Sequence, residues 1–372
     1  MFALPGYIKI LFITAFSRTT VYNIMPILCK PYVKVPENII TQEQTLDLCK
    51  RLHPDHPNLN KLLSIIRHTS VKKRHILQPL EVALEHPGVE KRHAIHEKSA
   101  LEFADVVIRN ALKNAELSVS DIDLLIVTSC TDFSFPSLTA HIINRLGFRS
   151  DTKQLPIAQL GCAAGGSAIS RAQDYCMAYP DHNVLIVSIE FCSLLYQPDD
   201  KSIGGIISDS LFGDAASACV MRGKGGVGFQ VDANTSYLIP NTETYIAYDV
   251  KSTGFQFKLN KAVRDTMEPI SPIIAKFVER HGLDVRELDY FIFHTGGPRI
   301  LNDLVKFLSI SNDKVQFSRE CLSEYGNIAS VVVFEVMRRM FENANLKPGA
   351  RGVLGGFGPG ITAELNLNTW VA

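Results

Sequence analysis

Short, wholly apolar runs alternate along the chain with segments whose apolar positions follow helical spacing. Residues 124–127 read LLIV and residues 290–293 read YFIF. A strand without polar positions is covered on both faces, as in the centre of a layered α/β fold. Before each run, apolar residues recur every three or four positions, which predicts a helix ahead of each strand. These residues are Leu101, Ala104, Ile108 and Ala111 before the first run, and Ile270, Ile274 and Phe277 before the second.

The two helix and strand units are copies of one pattern. Their equivalent residues are Leu117 and Leu283, Val119 and Val285, and Asp123 and Asp289. Two long copies indicate a duplicated domain, because solenoids need many short repeats. We therefore predict two related halves, at residues 25–230 and 231–372, with a ligand cleft where their strand ends meet.

The first 24 residues stand outside this pattern. Their apolar stretch FALPGYIKILFITAF is interrupted by Lys9, and the part from Ile10 to Phe16 is too short to span a bilayer, which takes about 20 residues. Met25 begins a segment that suits a first strand. We interpret residues 1–24 as a disordered extension or a misassigned start, and we expect no stable membrane association.

Composition and charge narrow the functions open to this fold. The 372 residues include 38 Lys and Arg and 38 Asp and Glu, so no net positive field exists to hold nucleic acid. The eight cysteines form no CxxC pair and have no histidine at zinc-finger spacing. We expect a reduced, cytoplasmic protein without a metal or a nucleic-acid partner.

Three residues carry candidate chemistry. Cys162 lies in AQLGCAAGGSA at the start of a predicted helix, where the helix terminus should favour thiolate and lower the thiol pKa. His294 directly follows YFIF, and Asn327 lies where a turn leads into an apolar helix. An imidazole beside the thiol would form a thiolate–imidazolium pair, and an amide could donate to a reacting oxygen.

Cysteine, histidine and asparagine in this order suit two classes of enzyme. A papain-like protease would need a CGSCW-type context, which is absent, and a different fold. A decarboxylating thioester condensation needs an apolar cavity with donors for an enolate oxygen, and Phe212 and Phe257 would suit its wall. A structural role for Cys162, with no enzyme activity, is the third interpretation.

Five motifs in order resemble the type III polyketide synthases of the thiolase superfamily, relatives of chalcone synthase. They are QLGCAAGG, LFGDAA, the histidine before GGPRIL, EYGNIAS and GGFGPGITAEL. The resemblance implies an α/β, thiolase-like fold in αβαβα layers, with two halves related by a pseudo-twofold axis. It also implies a homodimer that uses malonyl-CoA, releases CoA and binds no cofactor.

The segments MPILCKP, SYLIPNTE and IAQLGCAAGG resemble more narrowly the bacterial tetrahydroxynaphthalene synthases. This implies iterative decarboxylative condensation of malonyl-CoA from a malonyl starter, then cyclisation to 1,3,6,8-tetrahydroxynaphthalene, which autoxidises to flaviolin. The alternatives are a type III enzyme that makes pyrones or resorcinols from an acyl-CoA starter, and a ketoacyl synthase III-like enzyme that performs one condensation.

The resemblance also implies residue roles. Cys162 loads the acyl group, His294 is its base partner, and His294 with Asn327 stabilises decarboxylation. The residues implied for the cavity and its gate are Phe212, Phe257, Cys130, Tyr248, Cys192, Leu195 and Phe135. Those implied for CoA binding are Lys61, Arg67, Gly297 and Arg299, with the basic run Lys72, Lys73 and Arg74 at the tunnel mouth.

Three of these positions bear on specificity and assembly. Phe135, before Pro136, is implied to reach into the cavity of a partner subunit. Tyr248 stands where plant enzymes have glycine, so its ring should narrow the cavity towards a small starter. Leu195 departs from the bacterial subgroup, which has cysteine there, and a larger apolar wall can change chain length or cyclisation.

Overall fold

The structure is a computed structural model that describes residues 25–85, 87–197 and 199–372. Its strands are β1 (Ile27–Leu28), β2 (Tyr32–Lys34), β3 (Asn38–Thr41), β4 (Lys73–Ile76), β5 (Leu124–Thr128), β6 (Lys153–Ile157), β7 (Asn183–Phe191), β8 (Asp214–Arg222), β9 (Gly228–Leu238), β10 (Ile246–Lys251), β11 (Gly254–Leu259), β12 (Tyr290–Phe293), β13 (Arg351–Gly358) and β14 (Thr362–Val371). Its helices are α1 (Gln42–Leu52), α2 (Leu59–Arg67), α3 (Leu80–Leu84), α4 (Val89–Asn114), α5 (Leu138–Leu146), α6 (Ala164–Ala178), α7 (Ile203–Leu211), α8 (Met267–Arg280), α9 (Pro298–Leu308), α10 (Gln316–Tyr325) and α11 (Val332–Asn343). The interpretation of residues 1–24 lies outside these ranges, and within them no helix is both long and apolar enough to cross a membrane.

The main sheet repeats one pairing pattern in its two halves. Its order is β12-β13-β14-β9-β1-β8-β7-β5-β6, with β2 paired to β8. In the first half β5 is parallel to β7, which is antiparallel to β8. In the second half β12 is parallel to β13, which is antiparallel to β14. The short strand β1 joins the halves, and the boundary that we place after residue 230 falls within β9.

Two repeated aspartates explain part of the sequence duplication. Asp123 accepts a hydrogen bond at Oδ2 from the backbone N–H of Asn183, the first residue of β7, at 2.9 Å. Asp289 accepts one at Oδ2 from the N–H of Arg351, the first residue of β13, at 2.8 Å. Each carboxylate therefore aligns the turn before one strand with the start of the parallel neighbour.

Successive side chains along each central strand pack into different layers. Ile126 and Ile292 belong to the core that contains α6 and α11 between the two half-sheets. Val127 faces the opposite way, onto α4 and α5, and Phe293 packs against α8 and α9. Because side chains alternate across a strand, this arrangement gives the αβαβα layers and confirms the predicted fold.

Candidate active site

A cavity of about 950 Å³ lies at the carboxyl ends of β5, β6, β7, β12 and β13, where the sequence predicts a cleft. The predicted residues in its lining are Cys162, His294, Asn327, Phe212, Phe257, Cys130, Tyr248, Cys192, Leu195, Lys61, Gly297 and Arg299. Phe135, Arg67, Lys72 and Lys73 are not in the lining. Phe135 is 92% exposed, and Arg67 ends α2, two positions after the lining residue Ile65 and therefore on another face of the helix. Among the described residues, no group of three or more His, Cys, Asp and Glu side chains could hold a metal ion.

The turn that carries Cys162 is tightly packed. After β6, residues Gly161–Ala163 form a 3-10 turn that leads into α6. Gly161 has a φ of 51°, and a Cβ there would lie 2.9 Å from Cδ of Pro359. A Cβ at Gly165 would lie 2.4 Å from the carbonyl oxygen of Ser330. Glycine is required at both positions, and it allows the thiol segment to approach the second half of the fold closely.

Asn327 is held on both sides by backbone hydrogen bonds. Its N–H donates to the carbonyl of Leu211 at 2.9 Å, and its carbonyl accepts from the N–H of Gly213 at 3.0 Å. Its Oδ1 accepts from the N–H of Ala329 at 2.9 Å. The amide is therefore oriented, and its Nδ2 lies 3.9 Å from Sγ of Cys162.

His294 follows β12 directly and is 2% exposed. Its N–H donates to the carbonyl of Gly355 at 2.8 Å, which continues the pairing with β13. A Cβ built at Gly296 would lie 3.9 Å from both His294 Nε2 and Asn327 Nδ2. The imidazole, the amide and the thiol, which come from distant parts of the sequence, thus converge on one region of the cavity.

A row of four aromatic rings forms one wall. The ring centroids of Phe212 and Phe257 are 5.3 Å apart, and those of Phe257 and Tyr248 are 5.7 Å apart. Phe255, which the sequence analysis did not single out, lies 5.7 Å from Tyr248. Tyr248 and Phe257 are direct partners in the β10–β11 hairpin, so this hairpin brings three of the rings to the cavity.

Two family models together match nearly all of the described chain. The model described as "Chalcone and stilbene synthases, N-terminal domain" matches residues 28–225, and its C-terminal counterpart matches residues 230–370.

The chain belongs to the chalcone and stilbene synthase family.

Similar proteins place it among the type III polyketide synthases of this family. It is 54% identical to a 1,3,6,8-tetrahydroxynaphthalene synthase of Streptomyces coelicolor, over 93% of this chain and 92% of that protein. It is 46% identical to a phloroglucinol synthase of Pseudomonas fluorescens, over 94% of this chain and 100% of that protein. The crystal structure of tetrahydroxynaphthalene synthase from S. coelicolor, a bacterial type III polyketide synthase, matches with a TM-score of 0.92 and 53% identity, over 93% of this chain and 99% of that one.

Burial governs the ionisation of the thiol and the imidazole in this polyketide synthase. Burial, and after it the carboxylate of Glu190, raise the pKa of Cys162 to about 12, although the hydrogen bond with Asn327 acts to lower this pKa. The predicted lowering of the pKa is therefore wrong, because loss of hydration outweighs the helix terminus. Burial also lowers the pKa of His294 to about 3, so burial favours the neutral form of both side chains.

Glu190 is a buried carboxyl that the sequence analysis missed. Its Oε2 accepts from the N–H of Cys130 at 3.1 Å and from Sγ of Cys130 at 3.4 Å, and its Oε1 accepts from Oγ of Ser330 at 2.5 Å. Burial raises its pKa to about 7. A charged residue inside the apolar strand VLIVSIEF was the signal that could have identified it.

The mouth of the polyketide synthase cavity is basic. Besides the predicted Lys61 and Arg299, its lining includes Lys261 and Arg264, which the sequence analysis did not select. Nη2 of Arg299 donates to Oδ1 of Asp265 at 2.8 Å, so the positive charge of Arg299 is already partly paired with a carboxylate. Arg74 lines the cavity as a buried side chain, and its Nη1 donates to the carbonyl of Phe212 at 2.9 Å, which supports the aromatic wall.

Proposed function

We propose that this chain condenses malonyl-CoA units on Cys162 and cyclises the product to 1,3,6,8-tetrahydroxynaphthalene. The observation that carries the proposal is the convergence of Cys162, His294 and Asn327 on one cavity, in a chain 54% identical to a synthase of that compound. The reaction is an acyl transfer with decarboxylative carbon–carbon bond formation, and it needs no bound cofactor or metal.

Loading begins from neutral partners. The Cys162 thiol gives its proton to His294 as its sulfur attacks the malonyl thioester, so the charged pair forms only when a substrate is present. This sequence follows from the high pKa of the thiol and the low pKa of the imidazole. The buried resting site thus avoids an exposed thiolate that would be oxidised.

Decarboxylation uses the same imidazole as a donor. When malonyl-CoA loses carbon dioxide, an enolate forms whose oxygen needs hydrogen bonds in a site without water. His294 Nε2 and Asn327 Nδ2 are both 3.9 Å from the same point beside Gly296. An oxygen that lies closer to the two nitrogens than this point can accept a hydrogen bond from both. The enolate carbon then attacks the acyl group on Cys162, and the sulfur leaves.

The cavity and its mouth select the substrate. The rings of Tyr248, Phe255 and Phe257 narrow the interior, which favours a malonyl starter over a bulky one. The cations Lys61 and Arg299, with Lys261 and Arg264, suit the phosphates of CoA. The backbone of Gly297 would lie beside the bound thioester.

We further propose a cytoplasmic homodimer of chains built from halves 25–230 and 231–372. Phe135 is 92% exposed and Phe133 is 65% exposed on one loop, and large apolar side chains that are exposed together mark an interaction surface. The outermost strand of the main sheet, β6, is on the same half. All eight cysteines are free, which suits a reducing compartment.

The test is purified enzyme incubated with malonyl-CoA alone and analysed by mass spectrometry. We expect CoA release, tetrahydroxynaphthalene and its oxidation product flaviolin. Absence of turnover until an acyl-CoA starter is added would instead assign a pyrone- or resorcinol-forming enzyme.

Phloroglucinol formation is the second candidate. It is favoured by the 46% identity to a phloroglucinol synthase. Leu195 lines the cavity, where an apolar side chain can change chain length or cyclisation. Both compounds are made from malonyl-CoA, so the same experiment distinguishes them by product mass.

A further inference from the structure

Asp132, two residues after Cys130, lies beside the cavity and forms a cluster with two histidines of α4, His93 and His96. His93 Nδ1 is 2.7 Å from Oδ2 of Asp132, and His96 Nδ1 is 3.4 Å from the same oxygen. His96 is 1% exposed, and its ring packs edge-on against Phe191. His93 is different, because its side chain is 40% exposed. Asp132 is therefore hydrogen-bonded to an imidazole that contacts solvent, and it lies next to a buried one.

A small second cavity adjoins this cluster. We name it the His93 chamber; its lining is Val89, Arg92, His93, Thr131, Asp132, Leu194, Leu195, Gln197, Thr253, Gly254 and Phe255. Its volume is about 30 Å³. A buried water needs at least about 10–15 Å³ and two or more polar partners, and this lining supplies both.

Asp132 connects the two cavities. Asp132, Leu195 and Phe255 line both the main cavity and the His93 chamber. The Oδ2 atom of Asp132 is engaged by His93 and by Oγ of Ser134, at 3.3 Å. Among the described residues no hydrogen bond reaches Oδ1, so this oxygen is available to a group in either cavity.

We propose that Asp132 and His93 form a proton relay that serves the ring-closing step of the polyketide. This inference rests on the proposed function, because it needs a polyketide chain on Cys162. Oδ1 of Asp132 takes a proton from a methylene between two carbonyls, and the C–H electron pair forms the new carbon–carbon bond to a ketone carbon. The π bond of that ketone breaks, and its oxygen takes a proton from water in the His93 chamber. The hydroxide that is left takes a proton from the His93 imidazole. The Asp132 carboxyl turns to bring its proton to His93 Nδ1, which takes it, so the carboxylate, the imidazole and the water all recover their original number of protons.

The relay would give a function to the polar pair Asp132 and His93 between the main cavity and the His93 chamber. Cys130 and Asp132 are on the same loop after β5 and line the cavity that contains Cys162, so a polyketide on Cys162 that extends past Cys130 would meet Asp132. A 1,3-dicarbonyl methylene is acidic enough for a carboxylate base, and enzymatic acid–base catalysis contributes about 10²–10⁴-fold. Without the relay, we expect the polyketide to close through oxygen to a lactone instead of through carbon.

The experiment measures aromatic product per CoA released from malonyl-CoA, which separates cyclisation from condensation. In Asp132→Asn and in His93→Asn we expect this ratio to fall at least about tenfold, with lactones in place of the aromatic product. The asparagine in His93→Asn keeps an N–H donor near the position of His93 Nδ1, but its amide cannot take up one proton and release another as an imidazole does. Asp132→Glu keeps the carboxylate and should recover a large part of the ratio.

His141 provides the matched control. It is also a partly buried histidine beside a carboxylate, with Nε2 3.7 Å from Glu97, but it lines neither cavity. His141→Asn should leave the ratio unchanged. Thermal denaturation checks folding, and if Asp132→Asn does not fold, the half-exposed His93→Asn decides alone.

Two results would overturn the relay. An unchanged ratio in His93→Asn would show that the imidazole moves no proton, and an unchanged ratio in Asp132→Asn would remove the base. A wild-type enzyme that releases no CoA from malonyl-CoA would refute the proposed function first, and the relay with it.

Discussion

Replacing Gly296 by alanine tests whether His294 and Asn327 share one oxygen. The added Cβ would lie 3.9 Å from His294 Nε2 and from Asn327 Nδ2. An enolate oxygen bonded to both nitrogens at about 2.9 Å lies on the plane equidistant from them, as the methyl group does. We place this oxygen on the Gly296 side of the two nitrogens. Carbon and oxygen approach no closer than about 3.3 Å, so the new methyl group would displace the oxygen from that position and lengthen both hydrogen bonds.

The magnitude follows from what such donors contribute. Loss of one oxyanion donor costs about 10²–10³ in rate, or about 2.7–4 kcal/mol, and we expect Gly296→Ala to fall in this range. The fold should tolerate the change, because the φ of Gly296 is outside the left-handed region. The nearest atom is the flexible end of Ile300, Cδ1, at 3.1 Å, so the stability cost should be about 1 kcal/mol.

The assay follows malonyl-CoA decarboxylation to acetyl-CoA in a Cys162→Ala background, where no acyl group can be loaded. The double change Gly296→Ala and Ile300→Val is the steric control, because valine removes the Cδ1 atom that the new methyl meets. The rate loss should persist in this control while its melting temperature recovers. Decarboxylation at the parental rate in Gly296→Ala would refute a shared oxygen site.

Four further outcomes are expected. Cys162→Ala should yield no aromatic product in mass spectrometry while its melting temperature stays near the wild-type value; product would refute covalent loading. Glu190→Gln removes a carboxylate that raises the pKa of Cys162, so iodoacetamide should label this thiol faster at about pH 8; slower labelling would contradict the charge effect. Because the pKa of Glu190 rises from 4.5 to about 7 on folding, its stabilising contribution is complete below pH 4.5 and is lost as pH rises through 7. Denaturant titrations between pH 4.5 and about 7 should show that the free energy of unfolding of the wild-type protein falls as pH rises, and Glu190→Gln should lack this fall. Tyr248→Gly should admit longer acyl-CoA starters, and an unaltered starter profile would reject the narrowing role of this ring.

The sequence predicted the architecture well because strand and helix patterns are local. The run from Leu124 to Val127 and the run from Tyr290 to Phe293 lie in equivalent strands, each after its predicted helix. The repeat also placed the residue after β12, His294, at the edge where the cleft forms. Asn327 was recognisable because it lies in a motif of the family.

Other parts of the site gave weak signals in the sequence. Phe255 reaches the cavity because its hairpin folds over it, and Lys261 and Arg264 do so because the following turn lies at the mouth. In a sequence, an aromatic or basic residue that lines a cavity looks the same as one that does not. Arg67 is the opposite case. The family motifs place a basic CoA-binding residue at this position, but Arg67 lies on a face of α2 that does not line the cavity.

The sequence by itself determined the duplicated α/β fold and the identity of the candidate nucleophile, because periodicity and motif order require only neighbours along the chain. Only the tertiary structure decided the charge states of Cys162 and His294, the presence of Glu190 beside the thiols and the chamber behind Asp132. These properties depend on loss of hydration and on distances between residues from separate strands. Both quantities arise when the layers pack, and no local pattern encodes them.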